Sequence, residues 1–287
     1  MGYLILVSLI WAFSFGLIKT YLTGLDPLFV GAVRIGIALL VFLPFLKVRG
    51  LPFSLLARFF IIGGVQYGLM YGSYIYTYQF LEAHKIALFT ITTPLFVSVL
   101  DDFFEKRFRY RYLVYAAISV IGASITYYKA TDVEGALVGV ALLQFSNFCF
   151  AVGQVYYRRT LSVHETLKPL EHFGILYAGG MAVSLLLVAA GTDLSRISVT
   201  GTQWIVLIFL GILASGIGFF LWNYGATKTN AGSLATMNNL KIPLAVAVSL
   251  LFYEVITQSA LIKLLLGGGV IVCAVYLSER YARRLPA

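Results

Sequence analysis

Long apolar runs alternate with short polar connections along the whole chain. Ten such runs can be drawn, at approximately 3–20, 28–46, 57–78, 84–104, 112–129, 136–157, 172–190, 203–226, 231–253 and 259–277. At about 1.5 Å per helical residue, runs of these lengths cross a bilayer as tilted helices. The connections carry Asp, Gly and Pro, and none is long enough to hold a further domain. The pattern predicts an all-α integral membrane protein with ten transmembrane helices.

A weak internal repeat relates the two halves of the chain. Pro94 lies eleven residues before Glu105, and Pro243 lies eleven residues before Glu254, so the two pairs match at an offset of 149. Four further matches at an offset of 148 join Gly63, Gly68, Tyr76 and Ala83 to Gly211, Gly216, Tyr224 and Ala231. Chance similarity between apolar helices is the alternative. Because five spans per half is an odd number, we expect inverted repeats at 1–129 and 130–287, as in secondary transporters.

A lysine lies at the midpoint of the ninth run. Lys241 is about 15 Å from the nearer end of that run, which is the depth of the bilayer centre. A charge at this depth is costly and marks a binding site or a pathway. Asn238 shares its helical face, and Pro243 frees a backbone carbonyl nearby. The alternative is a lysine that reaches the interface or caps a neighbouring helix. We expect Lys241 and Asn238 to bind substrate.

Tyrosines form a stripe along the third run. They recur at helical spacing on one face, at Tyr67, Tyr71, Tyr74 and Tyr78. Glycines about a quarter-turn away let a neighbouring helix approach closely. An aromatic belt at the lipid interface is the alternative, but four consecutive turns cannot all lie at an interface. We therefore expect Tyr67, Tyr71 and Tyr74 to line a cavity.

Other spans contribute polar or aromatic faces of the same kind. The candidate residues are Trp11 and Ser14 in the first run, Thr90 in the fourth, Gln144 and Asn147 in the sixth, and Trp222 and Asn223 in the eighth. Thr90 occupies the position in the repeat that Asn238 holds in the second half. Amides inside a bilayer also serve to join neighbouring helices, and tryptophans also serve packing alone. With these alternatives open, all seven are candidates for substrate binding.

Composition and charge narrow the class of protein. The 287 residues are 60% hydrophobic and 11% charged, with a mean hydropathy of +0.89, which excludes an ordinary soluble domain. A net charge of +9 would suggest nucleic acid in a soluble protein. Here, however, fourteen of the 21 basic residues fall in predicted inner loops, and only four fall outside, at Lys19, Lys85, Lys129 and Arg196. This bias predicts cytoplasmic termini in a bacterial inner membrane, with a lipid bilayer and no nucleic acid as partner.

The deepest charges in the predicted spans are cationic. All acidic residues fall in loops or near span ends, so we expect the cavity to prefer an anionic small molecule such as a carboxylate. Arg34, six residues into the second run, is expected to satisfy helix-end carbonyls near the outer interface. Cys149 and Cys273 both lie in apolar runs, so no disulfide or metal site is expected, and no cofactor. The first run has no basic leader or cleavage site and is expected to be a retained helix.

One acidic cluster suggests an enzyme instead. The run from Asp101 to Glu105 has the carboxylate spacing that membrane prenyltransferases use to hold Mg²⁺. Such enzymes need a second acidic cluster, but the equivalent pair in the repeat is Leu250 and Leu251. We therefore expect this cluster to pair with the basic residues beside it, in a protein that is not an enzyme.

Several segments resemble one transporter superfamily over essentially the whole chain. The segment Trp11 to Phe15, the Val33–Arg34 pair and the two Pro-to-Glu segments resemble the drug/metabolite transporter superfamily of the EamA type. Further segments are similar to its carboxylate, amino-acid and amine branch, which includes a bacterial biotin permease; they are 143–147, 214–218, 222–227, 231–232 and 237–239. The resemblance implies an inner-membrane carrier whose cavity is lined by spans one, three, four, six, eight and nine.

Two functional hypotheses follow from the residues and the resemblance together. The first is a secondary transporter that moves a small carboxylate-bearing metabolite by alternating access, with biotin uptake foremost. The second keeps the fold but carries amino acids, aromatic metabolites or S-adenosylmethionine, including outward. In either case we expect a monomer or a homodimer.

Overall fold

The computed structural model describes residues 1–22, 24–81, 86, 89–127, 137–252 and 257–284, without the side chains of Phe15, Lys19, Tyr78, Tyr127 and Ser249. Throughout these residues the regular structure is helical. The helices are α1 (Gly2–Tyr21), α2 (Pro27–Phe42), α3 (Phe53–Tyr76), α4 (Thr93–Glu105), α5 (Tyr110–Tyr127), α6 (Leu137–Val163), α7 (Pro169–Gly191), α8 (Gly201–Thr227), α9 (Ala231–Met237), α10 (Lys241–Phe252) and α11 (Gln258–Ala282).

Seven helical stretches in the described chain are long and apolar enough to cross a membrane. They are Pro27–Phe45, Phe53–Tyr76, Leu137–Val163, Pro169–Gly191, Gly201–Thr227, Ala231–Phe252 and Gln258–Ala282. The predicted runs match these helices, although α6 continues to Val163, beyond its predicted end at residue 157. The start of the fourth run, the end of the fifth, the first residue of the sixth and the repeat residues Ala83 and Glu254 lie outside the described residues. The fold is thus an all-helical membrane architecture.

Several helices begin at residues that cap their free backbone N–H groups. The Asp26 carboxylate accepts a 2.9 Å hydrogen bond from the Phe29 amide, and Pro27 occupies the first turn of α2. Thr200 and Gln203 form a capping box at the start of α8. Asn230 caps α9 by accepting from the Ser233 amide at 2.8 Å. These caps place the polar connections where the sequence predicts them.

Helical irregularities occur in pairs, at matching positions of the two halves. A π-helical segment, Gly64–Leu69, interrupts α3, and another, Leu210–Ile217, interrupts α8. A turn at 91–92 precedes α4, and a turn at 238–240 separates α9 from α10. The first residues of α4 and α10, Thr93 and Lys241, differ by 148, which is one of the two offsets of the sequence repeat. The predicted ninth span is therefore two half-helices, and Lys241 opens the second of them.

Helix packing follows a matching pattern in the two halves. Helix α2 packs against the π-helical segment of α8, as α7 packs against that of α3. Helix α1 packs against α8 and α10, as α6 packs against α3 and α4. The α3–α7 crossing is tight because a Cβ atom at Gly63 would overlap the backbone of Leu176, and one at Gly179 would overlap the carbonyl of Phe60. This packing brings α1, α6, α8 and α10 together around the start of α10.

Candidate functional site

The ammonium group of Lys241 has no counterion among the residues that the structure describes. Lys241 is half-buried, and its Nζ lies 5.7 Å from the ring centroid of Trp11 and 5.8 Å from that of Phe150. No carboxylate or hydrogen-bond acceptor in the described part of the chain meets this Nζ. The two ring faces offset part of the cost of burying the charge. The three N–H donors are left for water or a ligand.

Four aromatic rings form a wall beside Lys241. Trp11 from α1 contacts Trp222 from α8 at 5.0 Å between ring centroids, and Phe150 from α6 at 6.2 Å. Phe219 completes the wall, edge-on to Trp11 at 5.5 Å. The Trp11 indole donates a 3.0 Å hydrogen bond to the carbonyl of Ala214, in the π-helical segment of α8. The wall therefore offers an apolar surface next to a cation.

A buried amide beneath this wall fixes two of its members. The Gln154 side-chain oxygen accepts from the Trp222 indole at 3.0 Å and from the Asn238 amide at 3.2 Å. Asn238 also donates to the carbonyl of Leu234 at 2.9 Å, so it holds the C-terminal end of α9. All three side chains in the cluster are buried. Gln154 therefore positions the wall and the break before Lys241.

A second buried amide pair joins α3 to α8. Gln66 and Asn223 exchange two hydrogen bonds of 2.9 Å, and Asn223 also donates to the Tyr67 hydroxyl at 2.9 Å. These three side chains have no measurable exposure. Asn223 and Tyr67 are thus placed in a link between helices, which is the alternative that the sequence left open for amides.

The backbone at 89–91, just before α4, is held by amides from two directions. Asn147 and Gln144 on α6 donate to the carbonyl of Phe89 at 3.0 and 3.2 Å. Asn239, in the turn after α9, donates to the carbonyl of Ile91 at 2.9 Å. A helix interruption leaves backbone carbonyls without partners, and these amides satisfy them. Gln144 and Asn147 therefore contact the backbone just before α4.

The remaining candidates are more peripheral. Tyr71 is half-buried and lies edge-on to Phe219 at 5.9 Å. Tyr74 packs against the small apolar cluster of Leu81, Ile86 and Leu143. The hydroxyls of Ser14 and Thr90 donate within their own helices, to the carbonyls of Trp11 and Ile86. The Tyr78 side chain lies outside the described residues.

The structure brings four of the predicted residues into one cluster, namely Trp11, Trp222, Asn238 and Lys241. Tyr71 contacts Phe219, which in turn contacts Trp11 of this cluster. The candidates from the sequence do not include five residues of these networks, namely Gln66, Phe150, Gln154, Phe219 and Asn239. Gln66 and Asn239 are amides inside apolar runs, and the criterion that selected Gln144 would have selected them too. Phe150 and Phe219 gave no signal, because phenylalanine is equally common on lipid-facing surfaces. The substrate contacts of all the candidates stay predictions.

Arg34 differs from its predicted setting. Its Nε donates a 3.1 Å hydrogen bond to the Ser215 hydroxyl, and its guanidinium lies 5.4 Å from the ring centroid of Tyr71. The predicted contact with helix-end carbonyls is absent among the described residues. The reason is the π-helical segment of α8, which turns Ser215 toward α2 in the middle of its span.

The acidic cluster at the end of α4 is neutralised by arginines. Asp101 accepts from Arg109 at 2.5 Å and from Arg158 at 2.8 Å, and Asp102 accepts from Arg109 at 2.8 Å. Burial lowers the pKa of Arg109, but its hydrogen bonds to Asp102 and Asp101 outweigh this and raise the pKa above its ordinary value. The described residues contain no group of three or more metal-ligating side chains. Of the basic residues beside the cluster in sequence, Arg109 makes the expected ion pairs, whereas the other partners, Arg158 and Arg159, come from α6.

The comparisons with known proteins agree on the type of protein. A protein named biotin transporter from Salmonella typhimurium is 36% identical over 98% of this chain and 93% of its own. The biotin transporter of Escherichia coli K12 is 38% identical over 88% and 85%. A probable biotin transporter from Pseudomonas aeruginosa is 37% identical over the whole of both chains.

A solved crystal structure shares the fold. It is 17% identical and superposes with a TM-score of 0.78, over 98% of this chain and 96% of its own. The model of the EamA-like transporter family matches residues 1–128 and again residues 137–279, which together span nearly the whole chain. The chain therefore belongs to the EamA-like transporter family, the family that its first and second Pro-to-Glu segments resemble.

Proposed function

We propose that this protein is a secondary transporter that takes up biotin across the bacterial inner membrane by alternating access. The observation that carries the proposal is Lys241, a central cation without a counterion in the described chain, beside an aromatic wall. Biotin joins a carboxylate, through a chain of four methylene groups, to a bicyclic ring made of an apolar thiolane and a polar ureido group. In the proposed complex the carboxylate pairs with Lys241, and the apolar part of the molecule packs on Trp11 and Phe150, the two rings next to the ammonium group.

The choice of biotin rests on the relatives. Three proteins at 36–38% identity, matched over 85% or more of their length, carry biotin transporter in their names. The same cation and wall also suit aromatic carboxylates, so an amino-acid or aromatic-metabolite transporter is the second candidate. S-adenosylmethionine suits the site less well, because its sulfonium group would face the ammonium of Lys241.

For the transport mechanism we propose ten spans in two inverted repeats, at 1–129 and 130–287. Three observations support this division. The π-helical segments and the helix breaks recur in each half, helix packing is matched between halves, and the family model matches once in each half. The two halves would rock against each other around Lys241 and expose it to each side in turn.

The proposed orientation places both termini in the cytoplasm. Fourteen basic residues fall on the inner side under this arrangement and four on the outer side, of which Lys85 and Lys129 lie outside the described residues. The arginines around Asp101 then lie at the cytoplasmic end, where they close the inner ends of α4 and α6 together.

Uptake measurements test the proposed substrate. The protein is expressed in a biotin auxotroph that lacks its own permease, and labelled biotin is followed over time at nanomolar concentration. We expect uptake well above a vector control and competition by unlabelled biotin. Absence of uptake, with the protein detected in the membrane, would rule out biotin import. Thermal shifts of the purified protein with a panel of carboxylates would then identify the second candidate's cargo.

The first mutational prediction concerns the charge of Lys241. Replacing it in Lys241→Met removes the partner of the carboxylate and should weaken biotin binding about 10- to 100-fold, as expected for a charged hydrogen bond. Binding of biotin amide, which lacks the negative charge, should change little. The matched control is Lys263→Met, since Lys263 is an exposed lysine on α11. Equal loss for biotin and its amide would refute the charge role.

A further inference from the structure

Arg34 is a second central cation that the proposed mechanism does not use. It lies on α2 and is only 6% exposed. Within the described residues its one hydrogen bond runs from Nε to the Ser215 hydroxyl at 3.1 Å, and no carboxylate pairs with it. A guanidinium has five N–H donors in a fixed fork, so most of the donors of Arg34 have no acceptor in the described chain.

Such an arrangement is costly unless an acceptor arrives from elsewhere. An arginine that served only to join α2 to α8 would need one donor, and a neutral side chain could supply it without the expense of a buried charge. The face of Tyr71, 5.4 Å from the guanidinium, stabilises the charge but takes none of the N–H groups. The unused N–H donors indicate that Arg34 binds an oxygen acceptor on a ligand.

A continuous strip of aromatic rings joins Arg34 to Lys241. From Arg34 the strip passes to Tyr71, then to Phe219 at 5.9 Å, then to Trp11 at 5.5 Å, and the Lys241 ammonium lies 5.7 Å from that last ring. Trp11 and Arg34 are also tied to consecutive residues of α8, the carbonyl of Ala214 and the hydroxyl of Ser215. The molecule thus places one cation at each end of an apolar surface.

We infer that Arg34 is a second substrate-binding residue, which recognises a neutral oxygen acceptor at the end of the substrate opposite its carboxylate. The inference rests on the proposed function, and for biotin the acceptor is the ureido carbonyl. Lys241 meets two aromatic rings but no acceptor in the described parts of the chain, and its charge is localised, so it requires an anion. Arg34 is already in contact with Ser215 and Tyr71 and carries a delocalised, weakly hydrated charge, so it requires acceptors for its N–H groups. The site therefore selects molecules with two polar ends and an apolar middle.

Binding measurements on purified protein in nanodiscs test the inference. The ligands are biotin, biotin amide, and the analogue in which the ureido ring is absent from the thiolane pentanoate. The variants are Arg34→Gln, Arg34→Lys and Lys241→Met. We expect Arg34→Gln to weaken biotin at least tenfold but the ureido-free analogue less than threefold, and Arg34→Lys to recover part of the loss. Lys241→Met should instead abolish the preference for biotin over its amide.

The comparison of ligands within one variant separates recognition from folding. A misfolded or loosened Arg34→Gln protein would lose both ligands in proportion, and that result would overturn the inference while leaving biotin transport intact. The inference also fails if Arg34→Gln removes the preference for biotin over biotin amide, because Arg34 would then bind the carboxylate. Wild-type protein that transports another carboxylate but does not bind biotin would refute the proposed substrate and the ureido assignment together.

Discussion

At the scale of single residues, Gln154 links three parts of the site through one amide group. Its oxygen accepts from both Trp222 and Asn238, and its nitrogen donates to the carbonyl of Phe150 at 3.3 Å. Because Asn238 ends α9 and Trp222 belongs to the aromatic wall, this amide fixes the wall relative to the break. The orientation of the wall thus depends on a residue that touches no substrate in the proposed complex.

Removing this amide should destabilise the protein and disturb the site. In Gln154→Leu the indole of Trp222 and the amide of Asn238 lose their acceptor inside the bilayer, at a cost of about 1–3 kcal/mol. We expect a lower melting temperature in detergent and weaker biotin binding. The control is Gln79→Leu, which alters an exposed glutamine three residues after the end of α3. An unchanged melting temperature in Gln154→Leu would contradict the positioning role.

The residue types show what a sequence can predict about a site. Lys241 and Asn238 are conspicuous because polar groups are rare and costly in an apolar run. The same rule selected Asn223 but could not distinguish an open wall from the sealed link with Gln66, because that depends on which helix packs opposite. The location of Phe150 and Phe219 in the site could not be predicted from the sequence, since an apolar side chain is equally compatible with the core, a cavity wall and contact with lipid.

At the scale of helices, the π-helical segments and the helix breaks leave backbone carbonyls in each half that accept hydrogen bonds from other helices. Backbone carbonyls in the π-helical segment of α8 accept hydrogen bonds from Trp11 and Tyr177. The carbonyls of Phe89 and Ile91, just before α4, accept hydrogen bonds from amides of α6 and of the turn before α10. The sequence predicted the spans and the polar centre of the ninth. The sequence did not predict the π-helical segments. Such a widened turn depends on how neighbouring helices pack against it, and it has no residue pattern that identifies it locally.

The crossing of α3 and α7 makes a prediction about glycine. In Gly63→Ala the added Cβ would meet the backbone of Leu176, which cannot move without displacing α7. We expect a loss of several degrees in melting temperature or failure to accumulate in the membrane. Gly269→Ala is the matched control on α11, because nothing lies within 4 Å of its added Cβ. That control should be neutral or slightly stabilising, by about 0.5–1 kcal/mol, and equal behaviour of both variants would disprove the tight crossing.

At the scale of the whole molecule, Asp101 ties the ends of α4 and α6 together. Asp101→Asn leaves Arg109 and Arg158 without their shared carboxylate, at a cost below the about 3–5 kcal/mol of a fully buried pair, since both arginines keep some contact with water. We expect faster hydrogen exchange at 99–105 and 156–163, with the opposite ends of the same helices unchanged. Glu105→Gln, which breaks only the more exposed pair with Arg159, should show little effect.

The proposed inverted repeat predicts that equivalent loops lie on opposite sides of the membrane. Arg49 and Arg196 are exposed and occupy loops that correspond under the repeat. In a background with Cys149→Ser and Cys273→Ser, we expect Arg196→Cys to react with an impermeant maleimide added outside intact cells, and Arg49→Cys to react only after the membrane is opened. Labelling of both from one side would contradict the inversion.

The unpaired cations have an electrical consequence for the transport cycle. Lys241 and Arg34 give the empty carrier an uncompensated positive centre among its described residues, whereas a bound carboxylate removes one of these charges. A unit charge that crosses the whole membrane field gains about 2.3 kcal/mol per 100 mV, and a smaller displacement gains a fraction of that energy. A membrane voltage that is negative inside should therefore oppose the outward return of the unloaded protein more than the inward passage of its cargo, and so slow uptake at the step that resets the empty carrier.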